Sequence, residues 1–509
     1  MELRKITILD QFSRTVEKKK KQVSLTDSSG EYSWEQIDEF SDWMAYELYR
    51  QGTEEKSPIG ICGRNSAYWV ILYLAVLKAG AVPVLINSEY TGKEIETVQK
   101  VVPFSRIFKV NNDDFLRLKE EAARRPLPEN AACVLKELVK GIRPSDLAGF
   151  LFTSGTTSMP KAVPLTHYQM INVARQAVAA MRWQEDDRVC LSLALFHCFG
   201  LSTGLLAALI HGGSLHLTKS YHSADVIATI EQYRCTVLNG VPTMFLALIK
   251  NEKRSKADLS SLDSGIIAGS AVYKSDFLAV AQALSMPHLM QSYGQTEASP
   301  SVTFSDYDAT LEERARSVGK AIEYVQIRIR NSPCGEEVSP PHLRSAGSEG
   351  EIEIAGYNVM SGYYGDEKAS REAFTKDGWF RTGDIGYLDE KGNLYLTGRK
   401  KEIIIRSGEN IAPREIEEAI LATGGIEQVK VFGIPAPVVQ EDIVACVKSE
   451  KEICQESVKT NLKPRLAGYK IPKYIIRFTE FPLNGSGKVD ADMLKQWAIQ
   501  RINNHGRQD

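Results

Sequence analysis

The stretch "GFLFTSGTTSMPKAVPLTH", Gly149 to His167, decides how the chain is read. An apolar run ending at Phe152 leads directly into a segment in which six of the nine residues from Thr153 to Lys161 are Thr, Ser or Gly. The run has the character of a strand and the segment after it that of a loop. Gly155 permits backbone angles at which neighbouring amide N–H groups converge on an anion. Thr153, Ser154, Thr156, Thr157 and Ser158 add hydroxyl donors, and Lys161 adds a mobile positive charge. The spacing is not that of GxxxxGK[ST], so this is no Walker-type loop. Taken alone, the stretch reads equally well as a hydroxyl-rich surface turn.

Its surroundings favour the anion. Short apolar runs precede it ("PIGIC", "VPVLIN", "RIFKV") and follow it ("RVCLSLAL", "SLHLT", "TVLNGV", "SGIIAG", "HLMQSY"). Between them lie segments with helical spacing, such as Ser223 to Tyr233 and Val272 to Leu284. Strands alternating with helices predict parallel α/β sheets, with ligands at the carboxyl ends of the strands. Beyond Ser317, "VQIRIRN" and "GEIEIAGY" alternate apolar and polar residues, which predicts an antiparallel, partly exposed sheet. A second break falls at the charged step Arg399-Lys400-Lys401-Glu402, the expected hinge. After it comes a helix with Pro413 in its first turn and Ile416, Ala419 and Ile420 on one face.

Composition narrows the class. A chain of 509 residues needs two or more domains. A formal net charge of −2 and a pI near 6.5 argue against a general nucleic-acid binder, which needs a basic face. The eight cysteines include no CxxC pair, which argues against zinc and for reduced thiols in the cytoplasm. The N-terminus has no signal-peptide pattern, and its basic run Lys18 to Lys21 reads as a solvated helix end. The most apolar stretch, "YWVILYLAVLKAGAVPVLI", contains Lys78, Gly80 and Pro83. It therefore reads as a buried helix followed by a strand and not as a membrane span.

Three further stretches carry chemistry. "QSYGQTEAS" puts Tyr293, Gly294, Thr296 and Glu297 just after a strand; an aromatic can stack on a purine, and a lone carboxylate beside phosphates suits Mg²⁺. In "GWFRTGDIGYLDEKGNLYLTGRKKE", Asp384 lies between two glycines and could accept both hydroxyls of a ribose, with Arg399 fifteen residues on. In "FPLNGSGKVD", a Gly/Ser loop presents Lys488.

In this order the four stretches resemble the adenylate-forming superfamily of acyl-CoA synthetases, nonribosomal-peptide adenylation domains and luciferases, and "YSWEQIDEFSDWMAYEL" looks like that family's early helix. The resemblance implies an α/β fold. A large N-terminal domain of stacked α/β sheets with a small β-barrel-like portion would span residues 1–399. A small, mobile α+β domain carrying the catalytic lysine would span residues 400–509. It implies that the Thr153–Lys161 loop holds the β- and γ-phosphates of ATP, that Tyr293 lies near adenine, that Thr296 meets the α-phosphate and that Glu297 binds Mg²⁺. Asp384 and Arg399 would hold the ribose, and Lys488 would bridge the reacting carboxylate and the α-phosphate. Lys401 falls at the hinge position and Gly408 where the pantetheine arm of the thiol passes. The chain departs from the family at Ser158 and Ala162, where glycine is common, and at Ala491, where a basic residue often stands. The hinge residue is Lys401 where Asp is common.

The segment "LALFHCFGLSTGLLAALIHGG" resembles the family's acid pocket, with His197 where amino-acid-specific members place an Asp. "LNGVPTMF" and "IAGSAV" add small and apolar residues, Gly269 and Ser270 among them. A fatty or other apolar acid is therefore favoured. The thiol is expected to be coenzyme A, with the phosphopantetheine of a separate carrier protein as the alternative. A catalytically silent nucleotide-binding regulator is a further alternative. A monomer or homodimer is expected.

Overall fold

The computed structural model describes residues 1–111, 113–153, 159–330, 348–406, 409–436, 439–485 and 487–505. The chain forms two compact units. One comprises Met1–Gln326 with Ile354–Phe380, the other Ile327–Glu353 with Arg381–Asp509.

Two sheets organise the first unit. The larger runs, in spatial order, through Lys320–Ala321, Thr303–Phe304, His288–Tyr293, Ser264–Ile267, Val237–Leu238, Arg188–Leu191, Ser214–Leu217, Val23–Asp27 and Gly30–Ser33. Its six central strands, from His288–Tyr293 to Val23–Asp27, pair in parallel, and the outer strands add antiparallel edges. The second sheet runs Arg106–Val110, Pro58–Gly63, Val82–Ile86, Leu147–Thr153 and Lys161–Thr166, parallel except for the last pair. Each predicted apolar run contains a strand, although "RVCLSLAL" yields only Arg188–Leu191.

Local sequence explains the elements that carry the sheets. The apolar stretch divides as expected into the helix Ala67–Lys78 and the strand Val82–Ile86, with Gly80 at φ +75° between them. Every residue of that helix is buried, so it has no polar stripe to reveal a helical period. Its lysine is only 5% exposed and is held by Asp38 and Asp42, each at 2.6 Å, an arrangement that offsets the cost of burying the ammonium group. Among the described residues no helix is long and apolar enough to cross a membrane. The helix Trp34–Arg50 starts in a reciprocal cap between Ser33 and Gln36. One expectation is corrected at Lys19. It closes the helix Ile8–Lys19 but is buried, because its ammonium reaches Glu185 at 3.0 Å while its stem packs beneath Gly212.

The second unit is α+β. The sheet Val325–Arg330, Gly350–Gly356, Phe380–Leu388 and Leu394–Arg399 lies mainly in it. The sheet is partly exposed, as expected, at Gln326, but Arg328, Glu351 and Glu353 of its polar face are buried. Glu353 is 0% exposed and accepts from Arg328 Nε at 2.7 Å and Arg330 Nη1 at 3.0 Å. Alternation correctly segregates the charges to one face, but the pairing of one carboxylate with two guanidinium groups allows that face to be covered. A further sheet runs Glu409–Ile411, Ile404–Arg406, Gln440–Lys448 and Gln428–Ala436, with Tyr474–Phe478 parallel to Gln440–Lys448. The helix Pro413–Leu421 buries Ile416 and Ile420, with Ala419 only half-buried. The core between this sheet and the helix Ala491–His505 contains Phe432, Val444, Cys446, Phe478, Leu494 and Ala498.

Candidate active site

In the first unit, the loops that follow the parallel strands carry the expected residues. Thr153 and Lys161 face each other as register partners at the head of the hairpin between Leu147–Thr153 and Lys161–Thr166. Ser154, Gly155, Thr156, Thr157 and Ser158 lie outside the described residues. Ala162 is buried, and its carbonyl accepts from the Tyr364 amide at 2.9 Å.

The loop after His288–Tyr293 is held from several directions. A side chain at Gly294 would place its Cβ 1.7 Å from the Pro300 carbonyl oxygen, so only glycine fits this turn. Tyr293 is buried, and its amide donates to Thr303 Oγ1 at 3.1 Å. Asn358, fully buried, donates to the carbonyls of Ala298 at 3.1 Å and Ser301 at 2.9 Å. The Met360 amide donates to the Glu297 carbonyl at 2.8 Å. Thr296 and Glu297 therefore sit in a short helical turn whose backbone is stitched to residues 356–360.

That stitching brings in a residue the motifs do not mark. The Tyr363 hydroxyl donates to Glu297 Oε1 at 2.9 Å, and Lys161 Nζ lies 4.5 Å from the centre of the Tyr363 ring. Burial pushes the Tyr363 phenol well above its ordinary pKa, and the Glu297 charge pushes it further. The hydroxyl thus stays protonated and can only donate to the carboxylate. Tyr363 follows Gly362 at φ +148° and the turn "MSGYYG". An aromatic pair after a glycine turn was the available sequence signal, but nothing local links it to residues sixty positions upstream.

His197 lies on the segment after Arg188–Leu191, half-buried, with its ring 4.5 Å from that of Phe196. Its neighbour Cys198 places Sγ 3.4 Å from Thr296 Oγ1, so this segment adjoins the Thr296–Glu297 turn. Asn65 fixes it by donating to the Leu193 carbonyl at 2.7 Å and accepting from the Leu195 amide at 2.9 Å. Gly269 (φ +90°) and Ser270 are exposed after Ser264–Ile267. A cavity of about 10 Å³, enough for one water, opens between Leu238, Gly240, Met244, Phe245 and Leu248.

The second unit holds the remaining candidates. Asp384 and Arg399 are register partners on an antiparallel pair, with Arg399 Nε 3.0 Å from Asp384 Oδ1. Asp384 is buried, while the arginine side chain is 66% exposed. Lys400 donates to Glu351 at 2.9 Å, and Lys401 lies in the single helical turn Lys400–Glu402 that follows. Gly408 lies outside the described residues. Lys488 sits in a loop that Asn484 closes: the Asn484 amide donates to the Lys488 carbonyl at 2.7 Å, and its Oδ1 accepts from the Lys488 amide at 3.1 Å. Ala491 begins the helix that follows.

Parallel strands whose carboxyl ends gather a lysine, hydroxyls and one buried carboxylate define an α/β nucleotide-binding protein. Comparison with known proteins sharpens this. The AMP-binding enzyme family matches residues 12–364, and the AMP-binding enzyme C-terminal domain matches residues 415–488. The medium-chain acyl-CoA ligase ACSF2, mitochondrial, of Bos taurus is 31% identical over 518 residues, covering 92% of this chain and 83% of that one. The acyl-CoA ligase SID4 of Ajellomyces capsulatus is 30% identical over 516 residues, covering 92% and 87%. The anthranilate CoA ligase AuaEII, solved with anthranoyl-AMP, shares the fold with a TM-score of 0.83 at 21% identity over 98% of both chains. The chain belongs to the AMP-binding enzyme family.

Proposed function

We propose that this protein activates a carboxylic acid with ATP and passes the acyl group to coenzyme A, releasing pyrophosphate and then AMP. The observation that carries the reading is the Lys161–Tyr363–Glu297 cluster, within a chain that the AMP-binding enzyme models match over residues 12–364 and 415–488. In the first half-reaction a carboxylate oxygen attacks the α-phosphorus, an O–P bond forms and the bond to pyrophosphate breaks. Both reactants are anions, so positive charge must be waiting for them. The Thr153–Lys161 loop supplies it at the β- and γ-phosphates. Thr296 meets the α-phosphate, and Tyr293 helps to shape the adenine site. Glu297 holds Mg²⁺. Among the described residues no three His, Cys, Asp or Glu side chains gather around one point, and a single carboxylate suits an Mg²⁺ ligated chiefly by phosphate oxygens. Bound there, the ion neutralises phosphate charge.

Asp384 accepts from the ribose hydroxyls with Arg399 beside it, and Lys488 stabilises the meeting of carboxylate and α-phosphate. In the second half-reaction a thiolate attacks the acyl carbon and AMP leaves. Lys488 has no task in that step, so residues 400–509 act as a mobile domain that pivots at Lys401 after the large domain of residues 1–399, with Gly408 on the thiol's path. His197, Gly269, Ser270 and Gly294 frame the acid. His197 in place of an acidic residue supports an apolar, fatty-type acid over an amino acid. The seven cysteines of the described residues are free thiols, which supports a reducing compartment such as the cytoplasm.

The test is ATP–pyrophosphate exchange across a panel of acids, followed by AMP release with coenzyme A or with a holo carrier protein. Exchange with apolar acids and AMP release with coenzyme A are expected. Nucleotide binding without exchange would instead mark a regulator, and turnover only with the carrier protein would change the acceptor.

A further inference from the structure

A further cavity of the first unit is lined by none of the candidate active-site residues. It measures about 300 Å³, at the lower end of the range for small-molecule sites. Its walls are the start of the strand Leu147–Thr153, the end of the helix Ala131–Gly141 and the start of the helix His167–Ala180. Leu147 begins the strand whose far end carries Thr153, so at roughly 3.3 Å per residue the two lie about 20 Å apart.

The lining has a definite chemistry. Leu77, Val82, Leu138 and the Phe150 ring make it apolar. His167, only 1% exposed, is its buried polar group. Nδ1 accepts from the Ile8 amide at 3.3 Å, and burial lowers the imidazole pKa to about 4 despite the charges of Asp146 and Asp10, so the neutral ring carries its proton on Nε2. Among the described residues nothing accepts from that Nε2–H. Glu55, Lys56 and Asp146 add one positive and two negative charges, with Lys56 and Asp146 paired at 3.0 Å. A carboxylate or a nucleotide would meet this excess of negative charge.

We propose that this cavity is a second small-molecule site, for a neutral aromatic compound bearing one hydrogen-bond acceptor. The acid, ATP and coenzyme A, all anions, do not fit it. The cavity is wired to the cluster described above. Phe150 packs edge-on against Tyr364 at 4.9 Å, Tyr364 bonds to Ala162, and the preceding residue, Tyr363, holds Glu297. A ligand that shifts the Phe150–Tyr364 pair shifts the Tyr363–Glu297 bond, a coupling that rests on the function proposed above, whereas the binding itself does not.

Benzamide is the probe, its ring matching the walls and its carbonyl the Nε2–H. Saturation-transfer NMR on the full chain, with and without excess ATP, reads binding independently of any activity. Transfer to benzamide that ATP does not diminish is expected. His167→Asn retains an acceptor for the Ile8 amide but lacks Nε2, and it should weaken binding about tenfold, the scale of one hydrogen bond. A Cβ at Gly141 meets nothing within 4 Å, so Gly141→Phe fills open space and should abolish transfer while leaving pyrophosphate exchange unchanged. Circular dichroism melting checks that the variant folds, with Leu138→Trp as its replacement if it does not. Absence of transfer in the parent, displacement by ATP, or equal transfer with both variants would overturn the site. Binding that leaves the KM for ATP unchanged in the parent would overturn the coupling.

Discussion

Tyr363 donates its hydroxyl to Glu297 Oε1 at 2.9 Å, and these two residues, far apart in sequence, meet under Lys161. If Glu297 holds Mg²⁺, Tyr363 sets which way the carboxylate points. Tyr363→Phe should raise the Mg²⁺ concentration needed for half-maximal pyrophosphate exchange, with kcat largely recovered at saturating Mg²⁺. A hydrogen bond to a charged group is worth about 1.5–3 kcal/mol, so the shift should be roughly tenfold or more. Glu297→Gln keeps the shape but loses the charge and should not be rescued by added metal. Equal Mg²⁺ titrations for parent and both variants would remove the metal from this site.

The Arg328–Glu353–Arg330 cluster buries a carboxylate, 0% exposed, between two guanidinium groups. Glu353→Ala would leave two guanidinium groups without this carboxylate and should cost about 3–5 kcal/mol in equilibrium urea unfolding. Glu353→Gln, which still accepts a hydrogen bond, should cost less. A loss below 1 kcal/mol for the alanine variant would mean that water reaches the arginines.

Most of the strand frame was legible because it depends on local pattern. "RIFKV", "SLHLT" and "HLMQSY" are short apolar runs bounded by polar or breaking residues, and each became a parallel strand. The residues missed are those whose role is set by distant chain. Asn358 and Tyr363 act on a loop sixty residues upstream, and neither has a period or spacing that points there. The burial of Glu353 was not legible either, because alternation reports which residues share a face, not whether that face is covered. Lys19 was read as solvated for the same reason, since its partner Glu185 lies far along the chain.

Two buried histidines make the fold sensitive to acid. Desolvation brings His167 and His216 to about 4, below the ordinary 6.5. The unfolded chain therefore takes up protons that the folded chain refuses. Their contribution is fully present above pH 6.5 and is lost as the pH falls toward 4, by up to about 1.4 kcal/mol per pH unit for each histidine. Unfolding free energies measured from pH 7 to pH 5 should show a shallower fall in His167→Asn than in the parent. Parallel curves would mean that His167 becomes protonated without penalty.

Lys488 provides the test of the proposed division of labour. Its loop is closed at both backbone atoms by Asn484, so the side chain is presented from a fixed turn. Its charge should matter only while carboxylate and α-phosphate meet. Lys488→Ala should then slow adenylate formation by about 10²- to 10³-fold, the scale of one preorganised electrostatic group. Supplying synthetic acyl-adenylate and coenzyme A bypasses that step, and acyl-CoA should then form at close to the parent rate. An equal loss in both assays would mean that Lys488 serves both half-reactions, and a small domain that exchanges one face for another would no longer be needed to explain the enzyme.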